Sequence, residues 1–572
     1  MARLVTLGWT ALMVVLSGVA VAGDYAQTRK FVAFGWEMQG DLTPEKLKAN
    51  QPELAKTGLS GIGIYLPKTY SAANPSNRLR SVMGDTFLWQ KEDFGPTPAA
   101  YREVLKLPGL TDSFVKSFFH HPTNRLDWAD DATWRRIAHN MRVAAWFAKA
   151  SGFVGLCVDH EDYKNARQFT WQPSDGTYAQ VSETVRRRAR ELFAGVFEEF
   201  PDATLLFYWF LTADGVYFTT PDARALAEIR GDLWPAFANG ILDVAPLTAQ
   251  IVDGNEQAYS YESGKGDFDR SSVAQRDRAI VLVAPENRSK FRSILRVGFG
   301  LYMDMYVNPE GSRWYFAPVE NSRLCPFDRN ATAAARAAST YVWLWGEHRP
   351  WIDWKPNFPA WLAKDGTWVD KLPGLPDVLF AITDPEAYVA RKCAELEEKK
   401  ALHNLLWNGK CAPNPKDGDL PPGFTGDDKG KGMPPPFYFW CNTKLRHGKA
   451  GIDIGGGIAG GNALRLEGVE SGCVMYHVPE KIRREGDMFA FEVQVKGRAA
   501  IRLASRHVAV GGDPAEWRRF RGLIRIGEGN PNTVVNLWVN QSEGETTWFA
   551  NMRLYRIFRY KETEPKKTSE RN

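Results

Sequence analysis

Cysteine and histidine are scarce in this chain, at six and nine among 572 residues. No cysteines show zinc-ligand spacing and no histidines pair as HxH or HExxH, so neither points to a metal, and no cofactor is expected. Six cysteines are too few for a disulfide scaffold, though they fit an oxidising compartment. Cys393 with Cys411 and Cys441 with Cys473 are candidate pairs, and spacing alone fixes neither. Net charge is also small, 72 − 67 = +5, which removes the argument for a nucleic-acid or anionic-membrane partner. Beyond the first residues no apolar run approaches membrane-spanning length. With 44% hydrophobic and 24% charged residues, the chain is neither disordered, nor collagen-like, nor a polytopic membrane protein.

What the chain has in excess is aromatic residues, at 13%, including 21 Trp. Rings beyond the needs of a core suit stacking on flat apolar ligand faces. The start reads as an export leader: Arg3, an apolar stretch from Trp9 to Val21, and a small-x-small site at Ala20-Val21-Ala22. Residues 1–22 are thus expected to be removed, leaving a secreted or periplasmic protein that begins at Gly23 and has no membrane segment. The run Arg186, Arg187, Arg188 and Arg190 falls in a helical pattern and reads as a solvated helix face.

From about residue 30 to 360, short β-like runs alternate with longer helical ones. The runs are Phe31–Glu37, Gly61–Leu66, Gly155–Tyr163, Thr204–Leu211, Ala249–Asp253, Val297–Tyr306 and Tyr341–Glu347, with Phe114–His121 ambiguous between strand and helix. Helical stretches include Asp131–Ala150, Tyr178–Phe200, Ala223–Phe237 and Ala331–Thr340. Counting the ambiguous run gives the eight strands of an α/β (β/α)8 TIM barrel over residues 23–383. Period-two parity supports it, with one apolar face per strand for the outer helices. The other face carries Glu37, Asp159 with Glu161, Asp304 and Glu347 near strand C-terminal ends. In such barrels that end holds the active site. A helix at Pro385–Leu406 and a Pro/Gly-rich linker up to residue 436 follow. Residues 437–560 read as an all-β domain and 561–572 as a disordered tail.

The strongest local signal is Asp159-His160-Glu161-Asp162-Tyr163. Two carboxylates on one strand face repel when both ionise, which raises one pKa and supplies a general acid near neutral pH. An ion-paired turn or a calcium site is the competing reading. Asp253-Gly254-Asn255-Glu256 follows the sixth run. With Tyr65, Trp209, Tyr302, Tyr306, Trp314, Trp343 and Trp345 these carboxylates form an acidic, aromatic-rimmed cavity. Sugars suit such a cavity, because rings stack on their C–H faces while carboxylates take their hydroxyl hydrogen bonds. Gly455–Gly460 fits GxGxxG, but the strand-like Ala463–Leu466 after it denies the βαβ context, and the segment reads as a loop.

GFVGLCVDHEDY, IVDGNE and YVWLWGE, at 152–163, 251–256 and 341–347, resemble the strand ends of secreted TIM-barrel glycoside hydrolases. Carried over by position, the resemblance implies Glu161 as acid/base and Asp304 as nucleophile, Glu256 being second choice, with Asp159 tuning Glu161. Glu37, Tyr65, Asp162, Trp209, Asp253, Tyr302, Tyr306, Trp345 and Glu347 would then hold the carbohydrate substrate. The C-terminal region, with Asn462–Leu466, Phe491–Gly497, Trp517 and Trp548–Leu554, resembles a jelly-roll carbohydrate-binding β-sandwich, with Asn551 where that family usually has aspartate. The competing expectation is a non-catalytic carbohydrate-binding protein on a degenerate barrel. A carboxyl pair flanking a glycosidic bond separates the two.

Overall fold

The computed structural model describes residues 29–560, except 40–41, 67–81, 119–124, 162–166, 213–216, 218–219, 221, 320, 356–365, 413–435, 443, 447, 504–505, 511–514 and 528–533. The expected leader, Asp162, most of the Pro/Gly-rich linker and the charged tail lie outside the described residues. Two compact units emerge: Met1–Pro318 with Pro326–Thr383, and Val319–Cys325 with Asp384–Asn572.

The first unit is the parallel barrel. Its strands are β1 (Lys30–Gly35), β2 (Gly61–Tyr65), β3 (Phe114–Phe118), β4 (Gly155–Asp159), β5 (Thr204–Phe207), β6 (Gln250–Asp253), β7 (Leu295–Val297), β8 (Phe299–Tyr302) and β9 (Tyr341–Gly346). They pair in the order β7-β6-β5-β4-β3-β2-β1-β9-β8. β7 and β8 are one strand interrupted at Gly298: the first half pairs with β6 and the second with β9, which closes the ring. Phe114–Phe118 thus resolves as a strand. The helix expected over Ala223–Phe237 is two, Ala223–Arg230 and Trp234–Val244, because Gly231 caps the first in the left-handed region at φ 65°.

Val32, Phe34, Phe114, Cys157, Leu206, Tyr208, Val252, Tyr341 and Trp343 fill the barrel interior. The expected parity holds for β4 and β9 but is inverted in β1, where Val32 and Phe34 point inward. Phe34 meets Tyr208 and Trp343 edge-on, at 6.3 and 6.2 Å between ring centres. A Cβ on Gly63 would enter the Phe34 ring, so β2 gives up side chains to admit that ring. The arginine run is a solvated face only in part: the side chains of Arg187 and Arg190 are 43% and 36% exposed. Arg188 is 1% exposed and bonded to Trp128 O, Asp131 and Glu191, while Arg186 and Arg190 pair with Asp243 on the helix Trp234–Val244.

The second unit is a sandwich of two five-stranded antiparallel sheets. One contains β10 (Phe437–Cys441), β13 (Gly472–His477), β18 (Val534–Val539), β15 (Ala499–Leu503) and β16 (Arg506–Val510). The other contains β11 (Lys449–Asp453), β12 (Ala463–Glu467), β19 (Thr546–Phe558), β14 (Met488–Lys496) and β17 (Trp517–Arg525). Alternate residues such as Val474, Leu537, Phe491, Val493, Leu464 and Phe549 meet between the sheets. The helix Pro385–Glu398 packs on β17 and β19, and Leu406 and Cys411 enter the sandwich core. Gly455–Gly460 is a loop with one 3-10 turn, as its context required. None of the six cysteines is in a disulfide, so neither candidate pair is bridged.

Candidate functional site

Asp159 ends β4 facing inward and forms an ion pair with Lys116 of β3 at 3.0 Å. Both side chains are almost wholly buried, at 2% and 1% exposure. The Lys116 ammonium also lies 5.3, 4.8 and 4.6 Å from the ring centres of Tyr65, Tyr208 and Trp345. Such a cage of aromatic faces stabilises a cation taken out of water. Burial opposes the lysine's charge, but Tyr65, Asp159 and Cys157 outweigh it and hold its pKa above the ordinary value. The other Asp159 oxygen accepts the backbone N–H of Glu161 at 3.3 Å, fixing the first residue beyond the strand.

Glu256 enters from the other side. Asn255 takes a left-handed conformation at φ 41°, and the 3-10 turn Glu256–Ser260 begins there. Asparagine tolerates that region better than most residues. The Glu256 N–H donates to Tyr208 O at 2.9 Å. Burial chiefly, then the facing charges of Glu161 and Asp159, push the Glu256 carboxyl up to about 8, and a hydrogen bond from Tyr259 only partly offsets this. Of the carboxylates expected at the mouth, Glu161 and Asp159 are thus the ones whose charges bear on Glu256.

The rim is aromatic. Tyr259 lies 5.4 Å from Tyr302 and 5.5 Å from Trp343, ring centre to ring centre. Trp314, 36% exposed, meets Tyr302 edge-on at 6.1 Å. Tyr302 and Trp345 both donate to Glu347, at 3.1 and 3.0 Å. Tyr65 and Trp345 thus meet around Lys116, and Trp345 and Tyr302 meet at Glu347. Trp209 packs beside the interior cluster and against His160, at 4.4 Å between ring centres. His160 stacks on Trp234 at 3.8 Å, and burial pushes its pKa down to about 3.

Four expected site residues are instead sealed into the scaffold. Asp304 is 0% exposed; it lies 2.7 Å from His348 Nδ1 and accepts the Glu347 N–H at 2.9 Å, so it braces that turn rather than facing a substrate. The strand ends at Tyr302 and Met303–Tyr306 is a 3-10 turn, so period-two parity does not extend to Asp304. Tyr306, on the same turn, is buried and accepts from Asn330. Glu37 sits on the turn Trp36–Gln39, accepts from Trp351 N–H at 3.0 Å and from Trp354, and burial drives its pKa up to about 8. Asp253 points away from the interior and caps the segment after β5, accepting from Leu211 N–H and Thr212 Oγ1.

Lys116, Tyr208 and Tyr259 are the site residues that sequence reading missed. Lys116 had a signal, being the lone charge in the apolar run Phe114–Phe118. Among the described residues no group of three or more His, Cys, Asp or Glu side chains could hold a metal ion, and no helix is long and apolar enough to cross a membrane.

No protein-family model matches the chain, and no curated protein matches it. Solved structures similar to part of it include the CBM22-1 xylan-binding domain of Paenibacillus barcinonensis Xyn10C, with 8% identity, TM-score 0.18, 21% of this chain and 86% of that one. A putative sugar binding protein from Bacteroides thetaiotaomicron is similar at 11% identity and TM-score 0.20, over 27% of this chain and all of that one (100%). The family 22 carbohydrate binding module of Clostridium thermocellum Xyn10B is similar at 9% identity and TM-score 0.18, over 22% of this chain and 89% of that one.

Proposed function

We propose that this protein is a glycoside hydrolase acting on a poly- or oligosaccharide, with Glu256 as general acid and Glu161 as the opposing carboxylate. One observation carries the reading: Glu256, held at about 8 by burial and by Glu161, keeps its proton at neutral pH inside an aromatic-rimmed mouth. Cleaving a glycosidic bond needs a proton donor for the leaving oxygen and a second carboxylate that attacks the anomeric carbon or activates water. Sugar rings would stack on Trp345, Tyr302 and Trp314, with Glu347 accepting a hydroxyl hydrogen bond. The Asp159–Lys116 pair forms the floor and aims Glu161 through its backbone.

The test is sugar release from a broad glycan panel by wild type, Glu256→Gln and Glu161→Gln. Both variants should lose at least about a thousandfold while still binding glycan, and wild-type activity should fall as pH rises past about 8, where Glu256 deprotonates. A Glu256→Gln enzyme with most of its activity sinks the assignment. Binding without hydrolysis is the second reading, favoured by Trp440 and Trp538 on the outer face of the β10–β16 sheet. Their rings lie 5.4 Å apart and tilted by 37°, and Trp440 is 44% exposed, a platform able to hold a sugar chain without any catalysis. Export through residues 1–22 belongs to the same proposal, and a secreted form beginning at Gly23 would support it.

A further inference from the structure

The outer face of the second sheet carries a row that none of the above uses. Register places Gly451 beside Arg465, Arg465 beside Trp548, Trp548 beside Lys496, and Lys496 beside Trp517, one residue from each of the five strands. Directly paired residues share a face, and the alternate set Leu464, Val495 and Phe549 fills the core, so this row points outward. Cation and aromatic ring alternate along it. The Lys496 ammonium and Arg465 guanidinium flank Trp548 at 5.0 and 6.0 Å from its ring centre. All five residues are partly exposed, and a Cβ on Gly451 would meet only open space, so the row runs out to a bare edge. Asp453 accepts the Trp548 indole N–H at 2.8 Å, which fixes the ring's position. The Arg465 side chain is 43% exposed despite its 3.0 Å pair with Glu467, and the Lys496 ammonium rests over the Trp548 ring.

We propose that this row is a docking strip for an acidic polysaccharide, a chain of uronic acid residues. Each pyranose face stacks on Trp548 or Trp517 while its carboxylate meets Lys496 or Arg465. Those two cations stand two strands apart, about 9.5 Å, on either side of the ring. Charge complementarity sets the sign of the ligand. The carboxylates of Asp453 and Glu467 beside the row can accept hydrogen bonds from sugar hydroxyls, donors that a poly(dT) backbone lacks, and this separates a uronan from single-stranded DNA. The choice of a saccharide rests on the reading above, but the strip lies in the sandwich unit and needs no catalysis.

Affinity electrophoresis of the full chain through gels containing polygalacturonate tests it, with Glu161→Gln as background so that no polymer is cut. Retardation should weaken at least tenfold in Trp548→Ala and in the surface double variant Arg465→Gln/Lys496→Gln. It should also weaken with salt, and the salt dependence should be smaller in the double variant. Lys106→Gln, which removes an exposed cation of the barrel unit, should bind as the parent does. Unchanged retardation in Arg465→Gln/Lys496→Gln, equal retardation by a neutral glucan, or tighter binding to poly(dT) would each overturn the strip. None of these results bears on hydrolysis at Glu161 and Glu256, so the two proposals fail separately.

Discussion

Replacing Lys116 by methionine keeps the length of the side chain and removes its charge from a position 1% exposed. The thioether still packs against Tyr65, Tyr208 and Trp345, so lost dispersion is small. Cation–π attraction to the three rings disappears, at about 0.5–2 kcal/mol each. The larger loss falls on Asp159, whose carboxylate loses its 3.0 Å partner in the interior. Breaking a buried ion pair from one side costs about 3–5 kcal/mol, whereas removing both charges is often close to neutral. The double variant Lys116→Met/Asp159→Asn should therefore recover most of the loss, giving a coupling of about 2–3 kcal/mol. Hydrogen exchange by mass spectrometry on peptides covering Gly155–Asp159 reports opening of the barrel independently of the sandwich. Effects of the two substitutions that add to within about 0.5 kcal/mol would refute the reasoning.

Glu37 carries a pH signature. Its folded pKa of about 8 exceeds the ordinary 4.5, so the folded state binds the extra proton and its contribution is complete below pH 4.5 and lost as pH rises towards 8. Glu37→Gln should flatten the fall in melting temperature across that window, and an unchanged profile would show Glu37 titrating normally. Asp304→Asn should lower stability by about 1–3 kcal/mol and leave kcat within tenfold of wild type, because Asp304 braces Glu347 and His348. A thousandfold loss of kcat in that variant would restore Asp304 as the nucleophile. Arg188→Ala should cost about 1–3 kcal/mol in urea unfolding, because its three partners tie two helices and a loop. Arg187→Ala, whose side chain is 43% exposed, should cost less than about 1 kcal/mol.

Legibility followed the reach of strand periodicity. Asp159, Trp345 and Tyr302 were placed from sequence because β4, β9 and β8 keep their alternation up to those residues. Beyond a strand's last ladder bond the period of two lapses, and Asp304 and Glu37 both sit on 3-10 turns just past it. The face of β1 was misread because both its sides are apolar: Phe31 and Ala33 are as buried as Val32 and Phe34. With no polar residue to mark one face, alternation carries no sign. Lys116 was missed for the opposite reason. A lysine in a short run reads as surface, and only the fold gathers three rings and a carboxylate around it. Glu256 was found as a second choice, since its neighbours in sequence do not reveal that Glu161 faces it.

Closing the barrel also imposes a timetable on synthesis. β1 pairs with β9 from Lys30↔Tyr341 to Gly35↔Gly346, so the two edges that complete the ring are joined across 311 residues (341 − 30). At translation speeds of about 5–20 residues per second, β1 exists for roughly 15 to 60 s before β9 has been made. Through that interval the Phe31–Phe34 edge has β2 on one side and an unpaired row of backbone groups on the other. The ring cannot close until Tyr341–Gly346 has been made, so any sheet that forms around β1 before then keeps an edge open to pairing with another copy.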